Sequence, residues 1–153
     1  MIIYTDGSAH PNPGPGGFGC VIYDDNENFI TCYQHSESYT TNNIQEIKSI
    51  LYAMITYGKY NPIVYSDSAY CVNIFTNWMF GWERKGWLKS DNKPPENLEL
   101  IKGYFNLYQQ GYRIDLRKVK GHINIKGNEL ADKLATEKMS VEEVKRWNKK
   151  NIS

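Results

Sequence analysis

The apolar residues of this chain change their spacing near residue 40, and that change restricts the fold more than any other feature. Residues 1–5, 17–23 and 29–35 form short runs rich in β-branched and aromatic side chains, bounded by turn formers, which predicts three strands. Over residues 43–57 the spacing becomes helical, with Ile44, Ile47, Leu51, Met54 and Ile55 on one stripe. Strands are predicted again at 63–66 and 112–119, and helices at 68–78, 96–110 and 128–138, with a short helical extension at 141–149. The order β-β-β-α-β-α-α-β-α, a meander followed by strand–helix units, predicts an α/β fold whose mixed sheet is flanked by helices.

Two segments punctuate the meander. Pro11-Asn12-Pro13-Gly14-Pro15-Gly16-Gly17 concentrates turn formers that fit neither a helix nor a central strand, so the second strand is expected only from Gly17. Asp24-Asp25-Asn26-Glu27-Asn28 reads as a polar hairpin loop. Residues 79–96 carry no regular period.

At 153 residues the chain has the size of one domain with one core. No apolar run approaches the roughly 20 residues of a membrane helix. The N-terminus lacks a basic stretch and a small-residue cleavage site, so no signal peptide and a cytoplasmic location are expected. Cys20, Cys32 and Cys71 are odd in number and far apart, which suits buried small residues rather than a disulfide framework or a zinc site. Net charge is +1, but unevenly spread. Residues 1–112 hold 7 Lys/Arg and 11 Asp/Glu, a net of −4, whereas residues 113–153 hold 11 and 6, a net of +5. That asymmetry permits a basic face for phosphates and equally describes a solvated C-terminal helix.

Four acids stand out by position. Asp6 and Asp67 are predicted at strand ends, Glu46 in the first turn of the first helix, and Asp132 early in the last core helix. In open α/β sheets functional groups collect at the carboxyl ends of strands. Each acid also has a plain structural role open to it: a turn at Asp6-Gly7, a capping box at Asn43–Glu46, a cap at Asp67 or Ser68, a helix dipole at Asp132. If the four converge, two carboxylates about 4 Å apart repel by about 4 kcal/mol at an effective dielectric of 20, so the cluster needs a cation. Oxygen-only ligands suit magnesium or manganese rather than zinc.

The chain resembles type 1 ribonuclease H over about residues 1–138. The motifs are Tyr4-Thr5-Asp6-Gly7-Ser8, Asn12-Pro13-Gly14-Pro15-Gly16-Gly17, Thr40-Thr41-Asn42-Asn43 with Glu46, and Ser66-Asp67-Ser68. They continue with Trp78, Trp82 and Gly86-Trp87, then Val119-Lys120-Gly121-His122 with Asn128-Glu129 and Ala131-Asp132. Their joint order is specific where each alone is weak. The resemblance implies the ribonuclease H-like fold, a five-stranded mixed sheet of order 3-2-1-4-5. It implies a metal-dependent endoribonuclease that cuts the RNA strand of an RNA–DNA hybrid, leaving 5′-phosphate and 3′-hydroxyl ends. Two Mg2+ ions, with Mn2+ as a substitute, would be held by Asp6, Glu46, Asp67 and Asp132. His122 matches a loop histidine that assists proton transfer, and its unperturbed pKa of about 6.5 suits that work. Ser8, Asn12, Thr41, Asn42, Asn43, Trp82 and Asn128 fall at substrate-lining positions, where short hydroxyls and amides can reach phosphates and the 2′-hydroxyl that separates RNA from DNA.

By the same resemblance, residues 1–138 are the catalytic domain, residues 78–97 its handle, and residues 139–153 a helical extension, in a protein expected to act as a monomer away from membranes. The handle departs from strongly basic members. Arg84, Lys85, Lys89 and Lys93 face Glu83, Asp91 and Glu96, a net of +1, which implies a shallow salt dependence of binding. Trp78 is expected in the core, as are Val141, Val144 and Trp147 of the extension. A resolvase-like nuclease of the same fold would lack the handle and the Lys-Gly-His loop, and a hybrid-binding module without activity would be expected to have lost one of the acids.

Overall fold

The computed structural model describes residues 1–119 and 125–151. Strands β1 (Ile2–Ala9), β2 (Gly14–Tyr23) and β3 (Phe29–Thr40) form the antiparallel meander. Helix α1 (Asn42–Tyr57) leads to β4 (Ile63–Ser66), which lies parallel to β1 on its other side. Next comes a continuous helical run of α2 (Ala69–Asn73), a π-helical stretch (Ile74–Trp78) and α3 (Met79–Arg84). Helix α4 (Leu98–Gln109) returns the chain to β5 (Asp115–Lys118), parallel to β4, and α5 (Lys126–Ala135) and α6 (Val141–Lys150) follow. The sheet order is β3-β2-β1-β4-β5, the expected 3-2-1-4-5.

Strand alternation divides the apolar side chains between two faces. Ile3, Cys20, Ile22 and Val64 point to one face, where α1, the helical run from α2 to α3, and α4 cover them with Ile47, Ile50, Met54, Ile74, Met79, Ile101 and Tyr104. Val21, Tyr23 and Cys32 point to the other, beneath Leu130, Ala131 and Leu134 of α5 and Val144 of α6. Val141 and Trp147 pack against that second cluster, so the apolar residues of the extension do pack on the domain. All three cysteines are free and buried.

Several boundaries depart from the sequence reading. β1 does not end at Asp6 but runs through Asp6-Gly7-Ser8 to Ala9. A side chain at Gly7 would lie 2.3 Å from the Gln45 carbonyl carbon, so the glycine serves a close approach of α1 rather than a turn. β2 starts at Gly14, inside the stretch expected to be irregular. Its pairing with β3 shifts register between Gly14 and Gly16, and Pro15 occupies the irregularity, exposed and without need of an amide bond. The inward stripe of α1 is Ile47, Ile50, Ala53 and Met54, and Ile55 is 56% exposed.

Trp78 is the clearest reversal: it is exposed, not in the core. The Met79 amide bonds to the Ile74 carbonyl, five residues back, which is a π turn. With Ile74 and Phe75 inward, an α-helix would turn Trp78 toward the core, but the extra residue gives that place to Met79, which is fully buried.

Candidate active site

β4 pairs with β1 only as far as Tyr4, so β1 continues past the last rung of that ladder. Asp6 lies on this overhang, and Asp67 follows directly where β4 ends. The Gly7 amide donates to Asp6 Oδ1 at 2.9 Å and to Glu46 Oε1 at 2.9 Å. That bond answers the capping-box alternative for Glu46. The cap of α1 is Thr41, whose hydroxyl accepts from the Ile44 amide at 3.1 Å, and Glu46 reaches across to β1 instead. Likewise Ser68, not Asp67, caps α2. Asp132 is the seventh residue of the ten in α5, beyond the first turn, so complementing the helix N-terminus does not account for it.

Carboxylate oxygens of Asp6, Glu46 and Asp67 all lie within 4.8 Å of one another. Asp132 borders this group without joining it: its side chain is in hydrogen-bonding reach of Asp6, and its charge bears on Asp67. Asp6 is pushed up to about 10, first by burial and then by its contact with Glu46 and the charges of Glu46 and Asp67. Burial also lifts Glu46 to about 7, against the bonds from Gly7 and Ser66 that pull it down. The two share protons as a pair. Asp67 is raised by burial and by Asp132, with Lys118 opposing. Among the described residues Lys118 is the cation that lowers Asp67, while burial and the neighbouring carboxylates raise all three acids, so negative charge dominates the cluster. An all-oxygen set with surplus negative charge fits a hard divalent cation.

Ser66 belongs to the Ser66-Asp67-Ser68 motif, but the sequence assigns it no role of its own. Fully buried, it donates to Glu46 Oε2 at 3.4 Å and accepts from the Ser68 amide at 3.1 Å, tying Glu46 to the turn that carries Asp67. The available signal was a hydroxyl at an inward position of a short apolar strand.

The expected substrate-lining residues divide into groups. Asn42 accepts from the Ala9 amide at 2.6 Å, and Asn12 accepts from the Asn42 amide at 3.1 Å. These bonds join the proline-rich loop, the end of β1 and the start of α1, and they leave both side-chain amide groups to face outward partners. Thr41 keeps its hydroxyl hydrogen while capping, Ser8 is half-buried on β1, and Asn43 is exposed in the first turn of α1. Asn128 lies in the first turn of α5, half-buried. Trp82 packs partly against the core and lies 6.1 Å from the ring of Trp78, whose exposure makes it the more available of the two. His122 lies outside the described residues.

Fold and site together define an α/β protein with an acidic, cation-suited centre where β4 ends beside β1. A sequence model described as RNase H matches residues 1–140. The ribonuclease H of Agrobacterium fabrum is 39% identical over 139 residues, covering 90% of this chain and 92% of that protein. A ribonuclease H of a Thermoanaerobacter species is 36% identical over 140 residues, covering 90% and 88%. Among solved structures, the PFV RNase H domain superposes with a TM-score of 0.77 at 25% identity, covering 89% of this chain and 92% of that one. The chain belongs to the RNase H family and is a ribonuclease H enzyme. The family is metal-dependent, and the cluster of Asp6, Glu46 and Asp67 can hold a cation.

Proposed function

We propose that this enzyme hydrolyses the RNA strand of RNA–DNA hybrids by a two-metal-ion mechanism, giving 5′-phosphate and 3′-hydroxyl ends. The observation that supports this best is the meeting of Asp6, Glu46 and Asp67 within 4.8 Å, with Asp132 beside them. In this reading the four acids hold two Mg2+ ions, which Mn2+ can replace, and residues 1–138 form the catalytic domain. The ions would supply Lewis acidity to the phosphodiester and to the attacking water. The protein's own part is positional. Gly7 and Ser66 hold the Glu46 carboxylate by its two oxygens, and Gly7 also orients Asp6. Asn12, Thr41, Asn42 and Asn43 line the approach beside the start of α1 and present amides and a hydroxyl to phosphates and 2′-hydroxyls. Ser8, Trp82 and Asn128 extend that surface, and His122 takes part in proton transfer. The protein acts as a cytoplasmic monomer in this reading; among the described residues no helix is long and apolar enough to cross a membrane.

The test compares cleavage of an end-labelled hybrid, duplex RNA, duplex DNA and single-stranded RNA, in magnesium and in EDTA, with analysis of the product ends. Cleavage of the hybrid alone, lost in EDTA and in Asp6→Asn, is expected. Equal cleavage of duplex RNA, or full activity of Asp6→Asn, would overturn the assignment.

A further inference from the structure

A pocket of about 480 Å³ opens on the face of the sheet covered by α5 and α6, apart from the acids. Tyr4, Tyr23 and Trp147 supply aromatic wall, and Asn148 supplies an amide. Its lining holds one cation, Lys126, and one anion, Glu27. The size is that of a small-molecule site. Trp147 and Asn148 belong to α6, beyond residue 140 where the family match ends, so the pocket is built by this chain's own extension.

Three observations bear on what it accepts. Tyr4 and Tyr23 meet edge to face with centroids 5.8 Å apart and Tyr4 is backed by Tyr65, stacked at 5.1 Å, so this wall of the pocket is a fixed aromatic surface. The Tyr23 hydroxyl is buried and has no hydrogen-bond partner among the described residues, a costly state that a polar ligand edge would relieve. The Lys126 ammonium lies 4.4 Å from the centroid of the Trp147 ring and forms no ion pair among the described residues. The pocket also neighbours the acids along two elements. Tyr4 precedes Asp6 by two residues on β1, about 7 Å along a strand, and Gly127 of the lining precedes Asp132 by five residues on α5, also about 7 Å. That is roughly two stacked nucleotide steps.

We propose that this pocket binds one unpaired nucleotide, with the base among Tyr4, Tyr23 and Trp147 and the phosphate at Lys126. Base–aromatic stacking beside a basic group is the general chemistry of single-strand binding. The choice of a nucleotide rests on the ribonuclease H reading, whereas the pocket does not involve the acidic cluster.

The experiment uses the full chain carrying Asp6→Asn, so that binding is read without cleavage and a failure here is distinct from a failure of the acidic site. The Trp147 indole N–H signal is followed by NMR during titration with adenosine 5′-monophosphate, cytidine 5′-monophosphate, inorganic phosphate, and a hybrid bearing a short single-stranded overhang. Saturable shifts with the nucleotides or with the overhang support the proposal, and the arm that binds more tightly tells whether the site serves a free product or the substrate strand. Lys126→Gln is expected to weaken binding about tenfold and Tyr23→Phe about fivefold, both folding normally. The proposal is overturned if neither nucleotide nor overhang shifts Trp147, if inorganic phosphate shifts it as strongly, or if both variants bind as the parent does.

Discussion

Asp6 stands directly opposite Gly19 across the β1–β2 ladder. A side chain at position 19 would lie 2.4 Å from Leu134 Cβ and 2.7 Å from the Ala131 carbonyl oxygen. The glycine therefore lets α5 rest on the sheet beside Asp6, and α5 carries Asp132. Gly19→Ala should displace the helix and cost about 1–3 kcal/mol by overpacking. For a domain of this size that lowers Tm by roughly 2–12 °C. Because the displaced helix carries Asp132, which lies beside Asp6 and is a proposed cation ligand, the variant should also need more magnesium for half-maximal cleavage at a temperature where it is fully folded. Thermal melts paired with magnesium titrations check both effects, and an unchanged magnesium requirement would separate packing of α5 from the site.

Ser66 makes a second, sharper case. Removing its hydroxyl leaves the Ser68 amide without its partner and releases Glu46 Oε2. With Glu46 in the proposed role of magnesium ligand, Ser66→Ala should weaken magnesium binding about tenfold, as loss of a hydrogen bond behind a metal ligand does. Ser66→Thr keeps the hydroxyl and should retain most of the affinity. Calorimetric titration with magnesium distinguishes this from a general loss of stability, which would leave affinity in the folded protein intact.

The acid cluster sets a pH dependence with a definite sign. Asp6 and Glu46 have folded-state pKa values raised to about 10 and about 7. Groups raised in this way contribute stability that is full below their unfolded values near 4 and fades as pH rises through the folded ones. In EDTA, Tm should therefore fall between about pH 5 and 8. Glu37, lowered to about 2 by its bonds from Lys48 and Gln45, acts in the opposite direction, but its window lies below about pH 4.5, outside this range. Magnesium should raise Tm more at pH 8 than at pH 5, since at pH 5 protons already occupy the pair. A magnesium effect that is flat with pH would count against cation binding by these carboxyls.

How far the sequence could be read depended on whether a feature was set by local spacing or by tertiary contact. The meander and α1 followed from the period change near residue 40, and the sheet order from the resemblance to type 1 ribonuclease H. The four acids stood out because their motifs occur together, and the structure brings Asp6, Glu46 and Asp67 into one cluster with Asp132 beside it; of the elements that carry them, β1 was expected to end too early. Asp6-Gly7-Ser8 looked like a turn because glycine's commonest use is conformational, whereas here Gly7 makes room for the α1 backbone. Pro15 looked incompatible with a strand because the register shift that accommodates it is a property of the β2–β3 pairing. Ser66, though part of the Ser66-Asp67-Ser68 motif, had no legible role because its significance lies in what it touches across two elements. The pocket under α6 joins residues more than 100 positions apart, which no local pattern encodes.

The π turn also yields a contrast that a sequence pattern would get backwards. Helical spacing places Trp78 with Ile74 and Phe75 and leaves Met79 one step off the stripe. In the structure Met79 is fully buried and Trp78 is 39% exposed. Met79→Ala should cost about 2–5 kcal/mol through the cavity it leaves. Trp78→Ser, though a larger change in side-chain size, should cost less than Met79→Ala, because Trp78 is 39% exposed and its neighbouring rings Tyr70 and Trp82 lie at centroid separations of 6.1 Å. Urea denaturation of the two variants measures the difference directly. If the order of the two costs is reversed, the helical run from Ala69 to Arg84 is a regular α-helix and Trp78 belongs to the core. The same variant bears on substrate. An exposed indole in the segment 78–97, whose net charge is +1, offers a contact that salt does not screen. Trp78→Ser should therefore weaken hybrid binding while leaving its salt slope unchanged, and Lys85→Ala should lower that slope by about 1 if the lysine pairs with a phosphate.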